Sequence, residues 1–375
     1  MKVLVLSCNM GQGHNTAAKA IKEEWERRGV TCDMKDALSF GGATFSKGAC
    51  YAYTKIVIVA PKLYALGYRA TAAMSNPRVK SAAYLINKLY RRKLWKFIIQ
   101  GKYDTVITTH VFPAQTLTSI RKHYPLDAAC YMINTDYTWI PFLEELNIDA
   151  IFTPHEQLMP SFFARGIKSP LVAAGIPVSA RFSVRRPKEE ARAELGLPQE
   201  VPIYLVMSGS MGFGQLGSFI PKLLDRAPKG AHVVVMGGNN EPLKAELRKT
   251  FDPAQVTVLD FTDKVSDYMD ACDVLFTKPG GLTSTEAAVK TIALVHTAPI
   301  PGVEEPNVAF FGKNGMSVSG KDEDELLENA MLLLESEEAR AAMRKCQETV
   351  IHRNSAAEIC DYVEKDYLRA HGRTM

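Results

Sequence analysis

Seven cysteines stand at positions 8, 32, 50, 130, 272, 346 and 360, and no two form a Cys-x-x-Cys pair. An odd count without that spacing argues against a disulfide framework and against a structural zinc site. No stretch of about 18 residues is both apolar and free of charge, the length a spanning helix requires. The opening Met1-Lys2-Val3-Leu4-Val5-Leu6-Ser7 is too short and too soon interrupted for a secretory signal, and reads as a first strand. A cytosolic, reduced protein is expected. At roughly 150 residues per domain, 375 residues predict two domains.

Carboxylates are missing from one long stretch. Asp36 is followed by no acidic residue until Asp104, a gap of 67 residues that holds 12 lysines and arginines and 11 aromatics. Residues 1–180 carry 22 basic against 12 acidic side chains and residues 181–375 carry 23 against 29, so the net +4 conceals halves of +10 and −6. Such a block attracts an anionic surface, either lipid headgroups or nucleic acid phosphates. No recognised nucleic-acid module accompanies it, so nucleic acid is not an expected partner.

Hydrophobic periodicity predicts strands at Lys2–Ser7, Val30–Met34, Tyr103–Thr108, Ala128–Asn134 and Ile148–Phe152, with a helix over Asn15–Arg28. The pattern breaks in 175–202, which contains Pro177, Pro187, Pro198 and Pro202, and a linker is placed there. Alternation then restarts with strands at Ile203–Met207, His232–Met236, Val256–Leu259, Val274–Thr277 and Ile292–His296. Expected helices lie near Gly214–Asp225, Pro242–Thr250, Val265–Ala271 and Ser284–Lys290, before a helical end over Asp322–Leu368. The reading is an α/β protein with two parallel sheets, divided as 1–178, 179–353 and a C-terminal helix in 354–375 that packs back on the first domain. Ligands in such sheets bind at the carboxyl ends of strands, so two facing domains would share one interdomain cleft.

Three loops carry candidate chemistry. Gly11-Gln12-Gly13-His14 follows the first strand, but Thr16 stands where a dinucleotide fingerprint has its third glycine. His14 sits where a helix begins, and the positive helix end favours its neutral form, able to accept a proton. Asp136, after the Ala128–Asn134 strand, is a rival base or an orienter of His14. In the second half, Gly209-Ser210-Met211-Gly212-Phe213-Gly214 again joins strand to helix, where backbone amides can approach an anion. The third stretch is Lys278-Pro279-Gly280-Gly281-Leu282-Thr283-Ser284-Thr285-Glu286. Thr283 or Ser284 can cap the helix there, the amides of Gly280 and Gly281 make an anion site, and Glu286 has two oxygens for the two hydroxyls of a ribose. Pro299-Ile300-Pro301-Gly302-Val303-Glu304-Glu305-Pro306-Asn307 adds a rigid loop with groups suited to sugar hydroxyls. Asp267, Asp270 and Asp273 form no Asp-x-Asp metal pair and read as a solvated helix edge.

These motifs together resemble the diacylglycerol glycosyltransferases, which comprise the monogalactosyldiacylglycerol synthases and the processive diacylglycerol glucosyltransferases of bacteria. The family is related to the N-acetylglucosaminyl transferase of peptidoglycan synthesis. The resemblance covers nearly the whole chain and implies a GT-B fold of two facing Rossmann-like domains. It implies a lipid acceptor on the first domain and a UDP-sugar on the second, with inversion at the sugar and neither a metal nor another cofactor. By the same resemblance His14 is a candidate base, and Ser210 and Gly212, with Gly209, are the phosphate-side loop. Gly281 and Thr283 then belong to the diphosphate loop beside Gly280, and Glu286 is the ribose acid. Val265 lies where the uracil meets backbone, and Glu304 and Asn307 lie near the donor sugar. Val303 stands where many members have Gln, and Thr138 where many have His before Trp139.

The expected reaction is hexose transfer from UDP-glucose or UDP-galactose to 1,2-diacylglycerol, on the inner face of the cell membrane. The basic aromatic region 47–102 would dock on anionic lipid. Within it, Tyr90–Ile99 combines basic heads with apolar anchors, and Tyr64, Leu66 and Tyr68 are further candidates for insertion. Transfer to another lipid-linked acceptor such as a cell-wall precursor, and a non-catalytic UDP-sugar sensor, are the alternatives.

Overall fold

The computed structural model describes residues 1–75, 80–208, 216–300 and 302–372. It comprises two compact units, Met1–Ala180 with His352–Met375, and Arg181–Ile351.

The first unit is built on six strands: β1 (Lys2–Ser7), β2 (Thr31–Asp36), β3 (Thr105–Thr108), β4 (Ala129–Ile133), β5 (Ala150–Thr153) and β6 (Leu171–Ala173). They lie in the order β2-β1-β3-β4-β5-β6 and every pairing is parallel. Its helices are α1 (Gln12–Arg27), α2 (Ala43–Val59), α3 (Pro61–Met74), α4 (Ala82–Asn87), α5 (Arg91–Gly101), α6 (Val111–His123) and α7 (Met159–Phe163). Strand alternation divides the core. Val3 and Val5 face a cluster with Ile21 and Trp25 of α1, while Leu4 and Leu6 face one with Leu94 and Ile98 of α5 and Leu117 of α6. Helix α1 starts three residues before the expected Asn15. Gly11, at φ 113°, turns the chain directly out of the strand-end loop into the helix.

The second unit holds β7 (Ile203–Met207), β8 (His232–Met236), β9 (Val256–Leu259), β10 (Val274–Thr277) and β11 (Ala293–His296), in the order β11-β10-β7-β8-β9, again all parallel. Around it lie α8 (Lys188–Leu195), α9 (Leu216–Arg226), α10 (Glu241–Thr250), α11 (Val265–Ala271), α12 (Gly281–Lys290), α13 (Glu305–Lys313), α14 (Glu323–Glu335) and α15 (Glu337–Val350). The chain then returns to the first unit as α16 (Ser355–Ala370). There Ile359, Cys360 and Val363 are fully buried beside α1, and Arg28 donates to Asp361 at 2.7 Å and to the Ala357 carbonyl at 3.1 Å.

Four expectations require correction. The segment 175–202 is not wholly irregular, because it contains α8, whose Arg192 is buried and donates to the Ala271 carbonyl (2.9 Å) and to Asp273 (2.8 Å). The stretch from Glu305 is the first turn of α13 rather than loop. The aspartates near α11 are not a solvated edge: Asp270 is buried against Lys290 at 2.6 Å, and Asp273 takes both Lys188 (2.5 Å) and Arg192. Finally, most of the Tyr90–Ile99 anchors point inward, although Ile99 is exposed. Tyr90, Leu94 and Ile98 are in the core, and Phe97 packs on Phe40 and Tyr103. The most exposed apolar side chains of this region lie outside that segment, at Val59 (71%), Leu63, Leu66 and Leu89 (78%), and Leu85 and Ile86 are exposed as well.

Candidate functional site

Each sheet has one place where successive strands leave in opposite directions, and there the loops at the carboxyl ends part to form a crevice. In the first sheet this lies between β1 and β3. Helix α1 places His14 in its first turn above that point, half-buried. The imidazole Nδ1 lies 2.8 Å from the Thr109 carbonyl, and the Thr135 hydroxyl is 3.1 Å from the same nitrogen. A carbonyl can only accept, so Nδ1 carries the proton and Nε2 keeps its lone pair. Burial holds the ring below the ordinary imidazole range, against the opposing charge of Asp136 and the Thr109 carbonyl. His14 is therefore held neutral with its tautomer fixed by backbone, a form that can accept a proton at Nε2. Asp136 is half-buried in the turn after β4, where Asn134 Nδ2 donates to its carbonyl at 2.8 Å.

A second histidine, absent from the sequence reading, completes the group. His110 caps α6, its Nδ1 accepting the Phe112 amide at 3.1 Å, so its proton sits on Nε2. Its ring meets that of His14 edge to face with centroids 4.6 Å apart. Burial, then the neighbouring His14, keep His110 well below the usual range. Nothing glycine-rich marks Thr108-Thr109-His110. The available signal was a histidine directly after a buried strand.

In the second sheet the divergence falls between β7 and β10. Gly209, Ser210 and Gly212, in the loop after β7, lie outside the described residues, as does Pro301. After β10, the chain turns through Gly280 into α12, which starts at Gly281 with no side-chain cap. The expected cap by Thr283 or Ser284 is not formed. Thr283 is half-buried in the first turn, and the Ser284 hydroxyl instead pairs with His296 Nε2 at 2.9 Å. The first-turn amides of α12 are thus left for an anion. The Gly280 position leaves little room for a side chain, since a Cβ there would come within 3.3 Å of Lys278 Nζ.

Glu286 lies one turn into α12 and is 7% exposed. Among the described residues it accepts no hydrogen bond and pairs with no cation. Burial pushes its carboxyl up to about 8, with the Arg181 charge opposing. A buried carboxyl without partners costs free energy that a ligand's hydroxyl donors would recover. Glu304 and Asn307, expected near the donor sugar, are committed to shaping the turn. Glu304 pairs with Lys278 and accepts the Ile300 amide at 2.9 Å, while Asn307 Nδ2 donates to the Pro279 carbonyl at 2.9 Å. Val265 is half-buried as the first residue of α11. At the carboxyl ends of these strands lies a cavity of about 240 Å³, lined by Ser208, Phe219, Lys278, Thr297 and Asp322 among others. Among the described residues no three His, Cys, Asp or Glu side chains gather as a metal site would require.

Residues 14–178 match the family described as monogalactosyldiacylglycerol (MGDG) synthase, and residues 188–349 the family described as glycosyl transferases group 1. The chain is 25% identical to a Bacillus pumilus (strain SAFR-032) protein named processive diacylglycerol beta-glucosyltransferase, over 100% of this chain and 97% of that one. In structure it resembles MurG of Acinetobacter baumannii, with a TM-score of 0.64 at 14% identity over 97% and 99% of the two chains. It also resembles the spinosyn rhamnosyltransferase SpnG complexed with thymidine diphosphate, with a TM-score of 0.62 at 12% identity over 96% and 100%. The fold is GT-B, as the sequence implied.

Proposed function

We propose a reaction for a chain that is a glycosyltransferase, its residues 14–178 a monogalactosyldiacylglycerol synthase domain and 188–349 a group 1 glycosyltransferase domain. The enzyme moves a hexose from UDP-glucose or UDP-galactose to the free hydroxyl of 1,2-diacylglycerol, with inversion at the sugar. The observation that carries the reading is Glu286, a buried carboxyl without partners behind a helix start whose amides are unspent. Carboxyl and amides together fit the ribose hydroxyls and diphosphate of a nucleotide.

In this mechanism the acceptor hydroxyl attacks the anomeric carbon from the face opposite the leaving UDP. His14 Nε2 takes the hydroxyl proton, and the resulting imidazolium is stabilised by the Thr109 carbonyl and the Asp136 charge. The bond to UDP breaks as the new one forms. The charge left on the diphosphate is met by the first-turn amides of α12, which replace a cation in this role.

The acceptor lies in a bilayer, and no helix among the described residues is long and apolar enough to cross one. We assign docking to the exposed apolar side chains Val59, Leu63, Leu66, Leu85 and Leu89, within a segment that has no carboxylate to repel anionic headgroups. The enzyme then works as a peripheral protein on the inner membrane face.

The test is transfer from radiolabelled UDP-glucose and UDP-galactose to diacylglycerol in anionic vesicles. A lipid-soluble product that disappears in His14→Ala is expected, and the active donor names the sugar. Absence of product from either donor, with UDP still bound, contradicts diacylglycerol as the acceptor.

A further inference from the structure

We propose that the second unit carries another ligand site, for an oxyanion of the phosphate class, in a cavity of about 660 Å³ at the amino ends of β7, β10 and β11. Its wall includes Val201 and Pro202 before β7, Cys272 and Asp273 before β10, and Ile292 before β11. It lies at the end of the sheet opposite the start of α12, and its nearest wall, Lys290, is about one helical turn beyond Glu286 on that helix. It is therefore distinct from the donor crevice.

The charge of the lining points to an anion. The cavity is lined by seven basic residues, among them Arg185, Lys188, Arg192, Lys290, Arg340 and Arg344, against four acidic ones. The carboxylates are shared: Asp273 serves both Lys188 and Arg192, and Glu337 serves both Arg340 and Arg344. Two negative charges against four positive ones leave an excess of positive charge, although Arg192 and Arg340 also donate to backbone carbonyls. Arg344 commits one nitrogen to Glu337, and Arg185 pairs with no carboxylate among the described residues. A volume of this size falls in the range of small-molecule pockets.

Thr291, at the C-cap of α12, stands at the wall of the same cavity with its side chain packed away from solvent.

Helix α12 connects the two ends. Its first turn and Glu286 belong to the proposed donor site, while Lys290 and Thr291 at its last turn line the anion cavity. Occupancy of one end is thereby linked to the other through a single ten-residue helix. This coupling rests on the donor reading, whereas the anion site itself does not.

The test is thermal unfolding of the full chain at constant ionic strength, titrated with inorganic phosphate, with glycerol 3-phosphate and with phosphatidylglycerol vesicles, each with and without saturating UDP. Stabilisation of the wild-type chain by inorganic phosphate in the presence of UDP is expected, with affinity about tenfold weaker in Arg344→Ala and in Arg185→Ala. A UDP-induced rise in Tm that is unchanged in both variants separates loss of the site from loss of the fold. A response to glycerol 3-phosphate assigns the site to soluble esters, and a larger response to vesicles assigns it to lipid headgroups. Equal phosphate responses in wild type and both variants, or none in any, overturn the proposal. Phosphate binding without UDP binding contradicts the donor reading and leaves this site standing.

Discussion

At the divergence point of the first sheet, His14 has its tautomer already fixed by the Thr109 carbonyl and the Thr135 hydroxyl. At the corresponding point of the second sheet, Glu286 is buried with nothing to bond to among the described residues. The two sheets share a topology of parallel strands parting from a central pair, yet the groups set there differ in kind. A base must hold its geometry before the substrate arrives, so its partners are built in. A binding carboxyl gains most if its partners are the ligand's own hydroxyls, so its hydrogen-bonding capacity is left open. The difference teaches that built-in partners orient the proposed catalytic group, while the proposed binding group is left without any.

The sharpest way to break this contrast is His14→Ala. Loss of a general base should lower kcat about 10²–10⁴-fold while the Kd for UDP stays within twofold. Because burial holds His14 below the ordinary range, the acidic fall in kcat/KM of the wild-type enzyme should lie below about pH 6.5. A fall centred above that pH would assign the base to another group.

Glu286→Gln should act on binding first. Gln keeps one acceptor oxygen and replaces the other with a donor, so one hydrogen bond to the ribose is lost, and at about 1–3 kcal/mol UDP binding weakens roughly ten- to a hundredfold. The same variant should change stability with the opposite sign. A carboxyl raised to about 8 in the fold is protonated there while the unfolded chain already ionises. The unliganded wild-type chain therefore loses stability as pH rises from the ordinary carboxyl range toward 8. Thermal unfolding across that range should show a slope in the wild type that is absent from Glu286→Gln. Parallel curves would mean that Glu286 is paired in solution.

Membrane docking should respond more modestly. Replacing Val59, Leu63 and Leu66 together by serine should reduce partition into vesicles about tenfold or more, given 1.5–3 kcal/mol for a fully buried side chain and only partial insertion here. Changing Arg91, Arg92, Lys93 and Lys96 to glutamine should weaken binding at low salt and matter little at high salt. Unchanged partition in both sets would remove this face from the account. The smallest effect is expected for His110→Phe, which keeps a ring against His14 but loses the cap on α6. A loss of about 1 kcal/mol in stability with only a few-fold change in kcat would leave His14 as the sole base.

Much of this was legible in the sequence because period and punctuation are local. The strand of Val3 to Leu6, the glycine that opens α1, and the Pro-Gly-Gly turn before α12 are all set by neighbours within a few residues. What escaped the sequence depends on contacts far apart in the chain. His110 acquires its place only when β3 is laid beside β1, bringing residues 14 and 110 together. Tyr90–Ile99 has an amphipathic pattern that suits either a membrane or a core, and packing against β1 and α6 decides for the core. Asp270 reads as a surface residue until Lys290, 20 positions later, reaches it. Glu304 and Asn307 likewise find Lys278 and the Pro279 carbonyl only across 26 and 28 positions of chain.

The most direct test of the division of labour is to measure UDP affinity and lipid-linked product together, for wild type, His14→Ala and Glu286→Ala. The account predicts that product is lost in both variants and that UDP affinity is lost in Glu286→Ala alone. Product formation surviving in His14→Ala, or UDP binding undiminished in Glu286→Ala, would contradict it.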